Sequence, residues 1–386
     1  MRLAKRVADI GESVTLEITS KAKRMSKEGI DVVNFAAGEP DFDTPLYIKE
    51  AAIKAINEGF TKYTPSSGMP ELREAISAKF KKDNNLDYSA TQIVVSNGAK
   101  HSLYNIFQAL CEKGDEVIIP SPYWLSYPAM VSMSEANSVF VPTSAKNNFK
   151  VTEKGLASKI TKKTKCLVLN SPSNPTGSLY SEEELRMVAA LAIKHKFFVI
   201  SDEIYEKLVY DDKKYVSIAS LGKDIYDHTI TVNGVSKSYS MTGWRIGYAA
   251  GPLEVMKAIA NVQSHATSNP ASISQKAALA ALAGGQKFIE DMRKEFEKRR
   301  DLMVSRINKM KNISCTKPDG AFYVFCDISK LKEGSANIAN RLLDEAKIAV
   351  IPGEPFGANF FIRLSFATSR EAIEKGMDRI AQWEAR

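Results

Sequence analysis

Short runs of apolar residues alternate with helical segments over much of this chain, and this alternation constrains the fold more than any other feature. The clearest runs, which we predict to be strands, lie at 92–96, 116–120, 165–170, 197–201 and 229–233. Strands that are apolar along both faces are typical of a parallel sheet covered by helices on each side. Right-handed crossovers place those helices in the two outer layers. We therefore predict an α/β fold, a three-layer domain with a mostly parallel sheet.

The pattern changes after about residue 285. A long charged helix is predicted at 287–311, followed by strands near 313–315, 321–326 and 360–366 and helices at 336–347 and 370–386. Such a mixture is typical of a smaller α+β domain. We predict an N-terminal segment, 1–44, that joins this small domain, then a large domain, 45–285, and the small C-terminal domain, 286–386.

Composition and cysteine spacing indicate a globular protein of a reducing compartment. The chain has 386 residues, of which 44% are hydrophobic, and this excludes a disordered chain. No apolar stretch approaches the roughly 18–20 residues that span a membrane, and no signal-peptide pattern opens the chain. The four cysteines are far apart and form no CxxC pair. We therefore expect a cytoplasmic protein that does not bind membranes.

The chain is basic, with 53 Lys and Arg against 45 Asp and Glu, a net charge of +8. Its positive runs are short and scattered. They are not interleaved with aromatic residues, whereas a surface for single-stranded nucleic acid combines positive and aromatic residues. We interpret them as solvated helix faces with a general attraction for small anions, and expect no nucleic-acid partner. The four histidines share no metal-ligand spacing, so we assign no metal.

Polar residues follow the predicted strands, where open parallel sheets place their catalytic groups. They include a helix start, an indole, an amide, a carboxylate with a phenol, and a lysine: Gly98 and Ala99, Trp124, Asn174, Asp202 with Tyr205, and Lys237. Taken singly, each has an ordinary interpretation. Asp202 would be a helix cap, Trp124 a core residue, Asn174-Pro175 a turn, and Lys237 a surface lysine.

Taken together, these residue types suit one cofactor, pyridoxal 5′-phosphate (PLP). Free N–H groups at a helix start bind phosphate, and a flat indole stacks on an aromatic ring. A buried carboxylate such as Asp202 suits a protonated ring nitrogen, and an amide and a phenol can donate to the ring oxygen. Lys237 could join the aldehyde as an imine.

Five motifs in order carry a family resemblance over essentially the whole chain. They are AGEPDF at 37–42, NPTG at 174–177, SDEIY at 201–205, SKSYSMTGWRIG at 236–247 and FIRLS at 361–365. The chain resembles class I, fold-type I PLP-dependent aminotransferases, and most closely the subgroup of bacterial-type aspartate aminotransferases that also includes some prephenate aminotransferases.

The resemblance implies a role for each residue around the ring of PLP. Lys237 would hold PLP covalently and, once displaced, move a proton at the substrate Cα. Asp202 would keep the ring nitrogen protonated, which makes the ring an electron sink. Tyr205 and Asn174 would hold the ring oxygen, and Trp124 would stack on the ring.

The resemblance also implies a phosphate site and a dimer. Gly98, Ala99, Ser236 and Arg245 would bind the phosphate, with Lys100 beside them. Tyr63 would reach the phosphate of the neighbouring subunit, so that a homodimer shares its active sites.

For the substrate, the resemblance implies two cations. Arg363 would grip the α-carboxylate as a planar fork, helped by the backbone of Gly38, with Trp124 and Asn174 bordering the substrate. Lys100 would bind the distal carboxylate of an acidic substrate, although a solvated lysine in the first turn of a helix is the alternative interpretation.

The segment around 13–15 would close over the substrate as a lid. Members that also accept prephenate tend to carry a lysine in this segment, whereas this chain has Gly11-Glu12.

We therefore expect an aspartate:2-oxoglutarate aminotransferase acting on amino acids and 2-oxo acids. A prephenate or broad aromatic/alanine aminotransferase is the alternative within the family, and a PLP-dependent C–S β-lyase is the alternative of another class. A nicotinamide dehydrogenase is disfavoured because no GxGxxG motif opens the first strand–helix unit.

Overall fold

The computed structural model of the chain describes residues 4, 11 and 14–385. Its helices are α1 Val14–Lys27, α2 Leu46–Asn57, α3 Pro70–Asn84, α4 Ala99–Leu110, α5 Ser126–Met133, α6 Glu153–Ala157, α7 Glu182–His195, α8 Lys223–Asp227, α9 Leu253–Ala266, α10 Ser272–Ala283, α11 Lys287–Ile307, α12 Ser335–Arg341 and α13 Arg370–Glu384. Its strands are β1 Val33–Asn34, β2 Ile93–Ser96, β3 Glu116–Ser121, β4 Asn137–Pro142, β5 Thr164–Asn170, β6 Phe198–Asp202, β7 Thr229–Gly234, β8 Gly247–Ala250, β9 Ser314–Cys315, β10 Tyr323–Asp327, β11 Ile348–Ala349, β12 Ile351–Pro352 and β13 Phe361–Ser365.

A seven-stranded sheet within residues 14–385 has the order β2-β8-β7-β6-β5-β3-β4. Strands β4, β3, β5, β6 and β7 pair in parallel, and β8 runs antiparallel to both β7 and β2. All the strands except β8 therefore point the same way, so their carboxyl ends share one edge. The prediction of a mostly parallel sheet is confirmed, and β8 is its one antiparallel strand within the described residues.

Both faces of this sheet are covered by helices. Along β5, Val168 packs into a buried cluster with residues of α4 and α9, whereas Leu167 and Leu169 pack into another with residues of α7. Since side chains of a strand alternate between the two faces, these clusters are the two interfaces of a three-layer fold. The apolar runs of the sequence have this double burial as their physical cause.

A smaller α+β unit lies beside the large sheet. Its antiparallel sheet has the order β12-β13-β10-β9, and β1 pairs in parallel with β11. Phe35, which follows β1, is buried in the same apolar cluster as Phe322, Val324 and Leu364. The domain boundaries at 44/45 and 285/286 stay a prediction.

Local signals explain which helices the sequence predicted well. Helix α7 begins at a capping box, in which the Ser181 hydroxyl accepts from the Glu184 amide and the Glu184 carboxylate accepts from the Ser181 amide. The long charged helix ends at Ile307, four residues earlier than predicted, and the helix predicted at 336–347 is α-helical to Arg341 and then π-helical over Leu342–Ala346. Helix α1 lies within the N-terminal segment, 1–44.

No helix within residues 14–385 is long and apolar enough to cross a membrane.

Candidate functional site

The side chains predicted to be functional lie where the strands of the large sheet end. Asp202 is the last residue of β6, Asn174 follows the end of β5 by four residues, and Lys237 follows the end of β7 by three. Because these strands are neighbours and parallel, their carboxyl ends meet at the same edge. The strand that carries Arg363, β13, belongs to the smaller unit, so the site lies between the two sheets.

Asp202 is a buried carboxylate, only 4% exposed. Its Oδ2 accepts a hydrogen bond from the Tyr127 hydroxyl at 2.6 Å, and its Oδ1 accepts from the Ile204 amide at 3.4 Å. Burial raises the pKa of Asp202 to about 6, although the Tyr127 hydrogen bond, the Ile204 amide and the Lys237 charge all oppose the rise. Asp202 can therefore carry a negative charge that a cationic partner would stabilise.

Lys237 presents a reactive amine to the same site. Its Nζ donates to the carbonyl oxygen of Gly38 at 2.6 Å. Burial lowers the pKa of Lys237 to about 8, and the cations Arg245 and Arg363 add to the effect, while Glu39 and Asp202 oppose it. A lysine with a lowered pKa holds a sizeable neutral fraction near neutral pH, and the neutral amine is the nucleophile.

Arg363 is a buried cation, 2% exposed, without a carboxylate partner in the described part of the chain. Its Nη1 donates to Oδ1 of Asn174 at 3.0 Å and its Nη2 to the carbonyl oxygen of Ala36 at 3.2 Å, but its Nε has no hydrogen-bond partner. The guanidinium lies 4.3 Å from the ring centre of Tyr323. Burying an unpaired charge costs free energy, and an anionic ligand bound to Arg363 would lower that cost.

The predicted ring-oxygen donors lie beside this arginine. The hydroxyls of Tyr205 and Tyr323 are 3.0 Å apart, and the backbone amide of Asn174 donates to Oδ1 of Asn170 at 2.8 Å. The side-chain Oδ1 of Asn174 thus accepts from Arg363, and its Nδ2 remains available as a donor. The structure therefore brings Tyr205 and Asn174 to one side of the site through Tyr323 and Arg363.

The start of α4 and Arg245 form a small cationic cradle. Gly98 has φ +88°, and a Cβ added there would lie 2.3 Å from Nη2 of Arg245. Arg245 donates from Nη1 to the Thr242 carbonyl and from Nη2 to the Asn97 carbonyl, at 2.9 and 3.2 Å. The amides of Ala99 and its neighbours at the helix start, next to a guanidinium, are suited to bind an anion.

The other predicted residues border this cradle. Ser236 is buried next to Lys237. Trp124 is half-buried and meets Tyr127 edge to face, with ring centres 5.2 Å apart. The Nζ of Lys100 lies 4.9 Å from the Trp124 ring centre, and burial, followed by the charge of Arg245, lowers the pKa of Lys100. Lys100 and Trp124 therefore present a cation and a flat apolar face to one region.

Tyr63 is not part of this cluster. It is 91% exposed, in the loop after α2, and α2 itself exposes Leu46, Ile53 and Ile56. The lid predicted around 13–15 begins at a residue outside those described, as does Glu12 of the Gly11-Glu12 departure.

The model of the family "Aminotransferase class I and II" matches residues 30–380. The chain belongs to this family. An aspartate aminotransferase of Geobacillus stearothermophilus is 49% identical over the full length of both chains, and a probable aspartate/prephenate aminotransferase of Rickettsia conorii is 48% identical over 98% of this chain and 97% of its own.

Solved structures of the family agree with the fold. The aspartate aminotransferase of Rhizobium meliloti superposes with a TM-score of 0.96 at 42% identity, covering 100% of this chain and 99% of its own. That of Thermus thermophilus with maleate superposes with a TM-score of 0.95 at 44% identity, covering 99% and 100%. The predictions of a class I aminotransferase and of its α/β fold are confirmed.

Sequence reasoning missed three contributors to this candidate site. Tyr127 hydrogen-bonds Asp202, Tyr323 hydrogen-bonds Tyr205, and the Ala36 carbonyl accepts from Arg363. Trp124 lies two residues before α5 and Tyr127 lies in its first turn, where the Tyr127 amide donates to the Trp124 carbonyl, so the closeness of the two residues in the sequence was the available signal. Tyr323 lies in an apolar strand, where a phenol usually reads as core.

We expect Tyr127→Phe to raise the pKa of Asp202 further above 6. The substitution removes a hydrogen bond to the charged form and leaves the burial that disfavours it. The measurement is the pH dependence of the Asp carboxyl ¹³C shift in the protein without cofactor. Tyr180→Phe is the matched control, because its hydroxyl accepts from the Val151 amide instead. An unchanged or lowered Asp202 pKa in Tyr127→Phe would show that the phenol is not the controlling donor.

Proposed function

We propose that this protein is a PLP-dependent aspartate:2-oxoglutarate aminotransferase. The observation that carries the proposal is the grouping of Lys237, Asp202 and the buried, carboxylate-free Arg363 around one site. A transaminase of amino acids needs an amine to hold its cofactor, an anion for the ring and a cation for the α-carboxylate. Relatives named aspartate aminotransferase align with this chain from end to end.

The residues present fit PLP at both of its ends. The cradle of Gly98, Ala99 and Arg245 suits a phosphate, since a side chain at Gly98 would fill it. Ser236, beside Lys237, would add a hydroxyl. At the other end, Asp202 is buried and supplied with hydrogen bonds from its own chain, as the partner of a protonated ring nitrogen must be.

When bound, PLP would supply an electron sink that withdraws the electrons of a bond at the substrate Cα. Lys237 would attach it through Nζ, and the lowered pKa keeps that amine available. After displacement by the substrate, the same Nζ would take the proton from the substrate Cα and deliver it to C4′ of PLP, with the Gly38 carbonyl orienting the amine. Asp202 would hold the proton on the ring nitrogen, and Tyr205 and Asn174 would donate to the ring oxygen.

Arg363 would bind the α-carboxylate of the substrate as a planar fork, with its unpartnered Nε and a backbone contact at Gly38. Lys100 would bind the distal carboxylate that distinguishes aspartate and glutamate from other amino acids. Trp124, whose ring centre lies 4.9 Å from the Nζ of Lys100, would stack on the ring. The relative from Thermus was solved with maleate, a four-carbon dicarboxylate, which supports a site built for two carboxylates.

A second candidate is an aspartate/prephenate aminotransferase. Relatives with that name from Rickettsia conorii and Aquifex aeolicus are each 48% identical to this chain. The Gly11-Glu12 pair argues against it, because the resembled members that accept prephenate tend to carry a lysine in this segment. A panel of amino donors with 2-oxoglutarate, oxaloacetate and prephenate as acceptors separates the two. Pyruvate and ammonia formed without an acceptor would instead indicate the C–S β-lyase.

We further propose a homodimer with shared active sites, located in the cytoplasm. The exposed Tyr63 and the apolar residues Leu46, Ile53 and Ile56 support a second copy packed against α2.

Lys237→Ala should abolish both the absorbance band of the bound cofactor and almost all turnover. The reason is that no other amine would join the aldehyde at this position. Absorbance spectra and a transaminase assay measure the two effects, and the exposed Lys113→Ala is the control that should retain both. A fully active Lys237→Ala enzyme would remove the central assignment.

Lys100→Ser should raise the KM for aspartate by about tenfold or more, because a charge-assisted hydrogen bond contributes roughly 1.5–3 kcal/mol. The KM for alanine, which has no distal carboxylate, should change far less. Steady-state kinetics with both donors measure the difference. Equal effects on the two substrates would show that Lys100 does not bind the distal carboxylate.

Mixed dimers test whether Tyr63 serves the neighbouring site. Co-expressed Lys237→Ala and Tyr63→Ala chains form a heterodimer in which one site has both Lys237 and the neighbour's Tyr63. We expect about half of the wild-type activity in that isolated heterodimer, above either homodimer. Sedimentation of the wild type should give two chains per particle. An active monomer, or a heterodimer no better than the Tyr63→Ala homodimer, would contradict the shared site.

A further inference from the structure

The turn that carries Asp202 and Tyr205 has a second, buried polar side. Glu203 and Glu206, in the same five residues, are 1% and 6% exposed. The hydrogen bonds and the ion pair of their side chains go to residues that are not among the predicted cofactor ligands: Lys79, Asn84, Ser201, Tyr215 and Ser217. Two buried carboxylates behind a catalytic turn require a physical explanation, because each loses its hydration on folding.

Glu203 and Glu206 are tied together and to α3. The Nδ2 of Asn84, at the end of α3, donates to Oε2 of Glu206 at 2.6 Å and to Oε2 of Glu203 at 3.4 Å. Lys79, one turn earlier in α3, pairs with Glu206 and donates to Oδ1 of Asn84 at 2.7 Å. One amide and one ammonium thus anchor both carboxylates.

The remaining contacts of Glu203 come from the other side. Its Oε1 accepts from the Ser201 hydroxyl at 2.9 Å and from the Ser217 hydroxyl at 2.6 Å, and Tyr215 also hydrogen-bonds to it. The turn is therefore held between α3 and the 215–217 segment through Glu203. We call Lys79, Asn84, Glu203, Glu206 and Ser217 the turn anchor.

The turn anchor holds one cation for two carboxylates. Lys79 balances Glu206, and no second cation of the described chain pairs with Glu203. Other ionisable groups that face the anchor add no positive charge: Asp83, which is paired with Lys207, the phenols Tyr88, Tyr215 and Tyr248, and Asp202 on the turn itself. The anchor is neutral when Glu203 holds a proton and carries a net negative charge when it does not.

We propose that Glu203 is a positioning residue for the cofactor site. The neutral anchor holds the turn so that Asp202 and Tyr205 meet the cofactor, and ionisation of Glu203 loosens it by repulsion from Glu206. Cofactor binding then weakens as the pH rises through neutrality. The inference rests on the proposed function, since it names the ligand that Asp202 and Tyr205 serve.

The direction follows from burial and like charge. Burial, and then the Glu206 charge, raise the pKa of Glu203 to about 7, while hydrogen bonds from Ser217, Tyr215 and Ser201 oppose the rise. The pKa of Glu203 in the folded protein exceeds its value of 4.5 in the unfolded chain. Protonated Glu203 therefore makes its full contribution to the stability of the fold below about pH 4.5. That contribution is lost as the pH rises through the folded value.

Glu203→Gln tests the proposal, because it is isosteric and permanently neutral. The dissociation constant of PLP is measured for the protein without cofactor, wild type and variant, from pH 6 to 8.5. Other groups that titrate, including the phosphate and Lys237, act on both proteins alike, so the ratio of the two constants isolates Glu203. We expect the wild-type constant to rise relative to the variant by about tenfold over this range. Exposed Glu183→Gln should follow the wild-type curve.

Parallel curves for wild type and Glu203→Gln would overturn the proposal. A second readout needs no cofactor: the free energy of unfolding of the wild type should fall relative to Glu203→Gln between about pH 4.5 and 7, and no difference would also overturn it. If Glu203→Gln does not fold, Ser217→Ala replaces it. Because the Ser217 hydroxyl lowers the pKa of Glu203, its loss should move the pH at which the PLP dissociation constant begins to rise to a higher value than in the wild type. An unchanged pH dependence counts against the proposal.

The failure of the proposed function looks different. A wild-type protein that binds no PLP at any pH would overturn the function and the inference with it. Binding with parallel curves would overturn only the role of Glu203.

Discussion

The common direction of the strands is the constraint on which the site depends. Because β5, β6 and β7 are adjacent and parallel, Asn174, Asp202 and Lys237 arrive at one edge, although they lie far apart in the sequence. Hydrogen bonds along the strands fix that register, and the helices that bury both faces keep it. A change of one residue in the register of β6 would turn Asp202 away from the site.

The site keeps charges that folding alone does not neutralise. Arg363 has no carboxylate partner in the described chain, Lys237 has a lowered pKa, and Asp202 has a raised one. Each departs from its usual value because burial disfavours the charged form. The apolar cores on either side of the sheet offset this electrostatic cost. The cost itself is concentrated at the site, where a zwitterionic ligand would lower it.

The sequence predicted the large sheet because its strands have local signals, and the same strand ends singled out most residues of the candidate site. Doubly buried strands are apolar throughout, and α7 has its capping box. Pairings without a local signal were not predictable: β1 and β11 are two residues each and meet across more than 300 residues. Helix α10 was missed because its own small apolar residues lie on all of its sides, so the sequence shows no amphipathic pattern. Tyr127 was missed because its partner Asp202 lies 75 residues away.

The turn from Asp202 to Glu206 shows why motif matching finds only half of such a site. The same five residues present a carboxylate and a phenol to one side and two carboxylates to the other, and only the first pair has an evident chemical use. The role of the second pair becomes visible only through its hydrogen bonds to Asn84. Asn84 lies 119 residues from Glu203, and no spacing in the sequence connects the two. A catalytic group is only as well placed as the contacts behind it, so the buried polar residues on the far side of a functional turn belong to the mechanism as much as those that face the ligand.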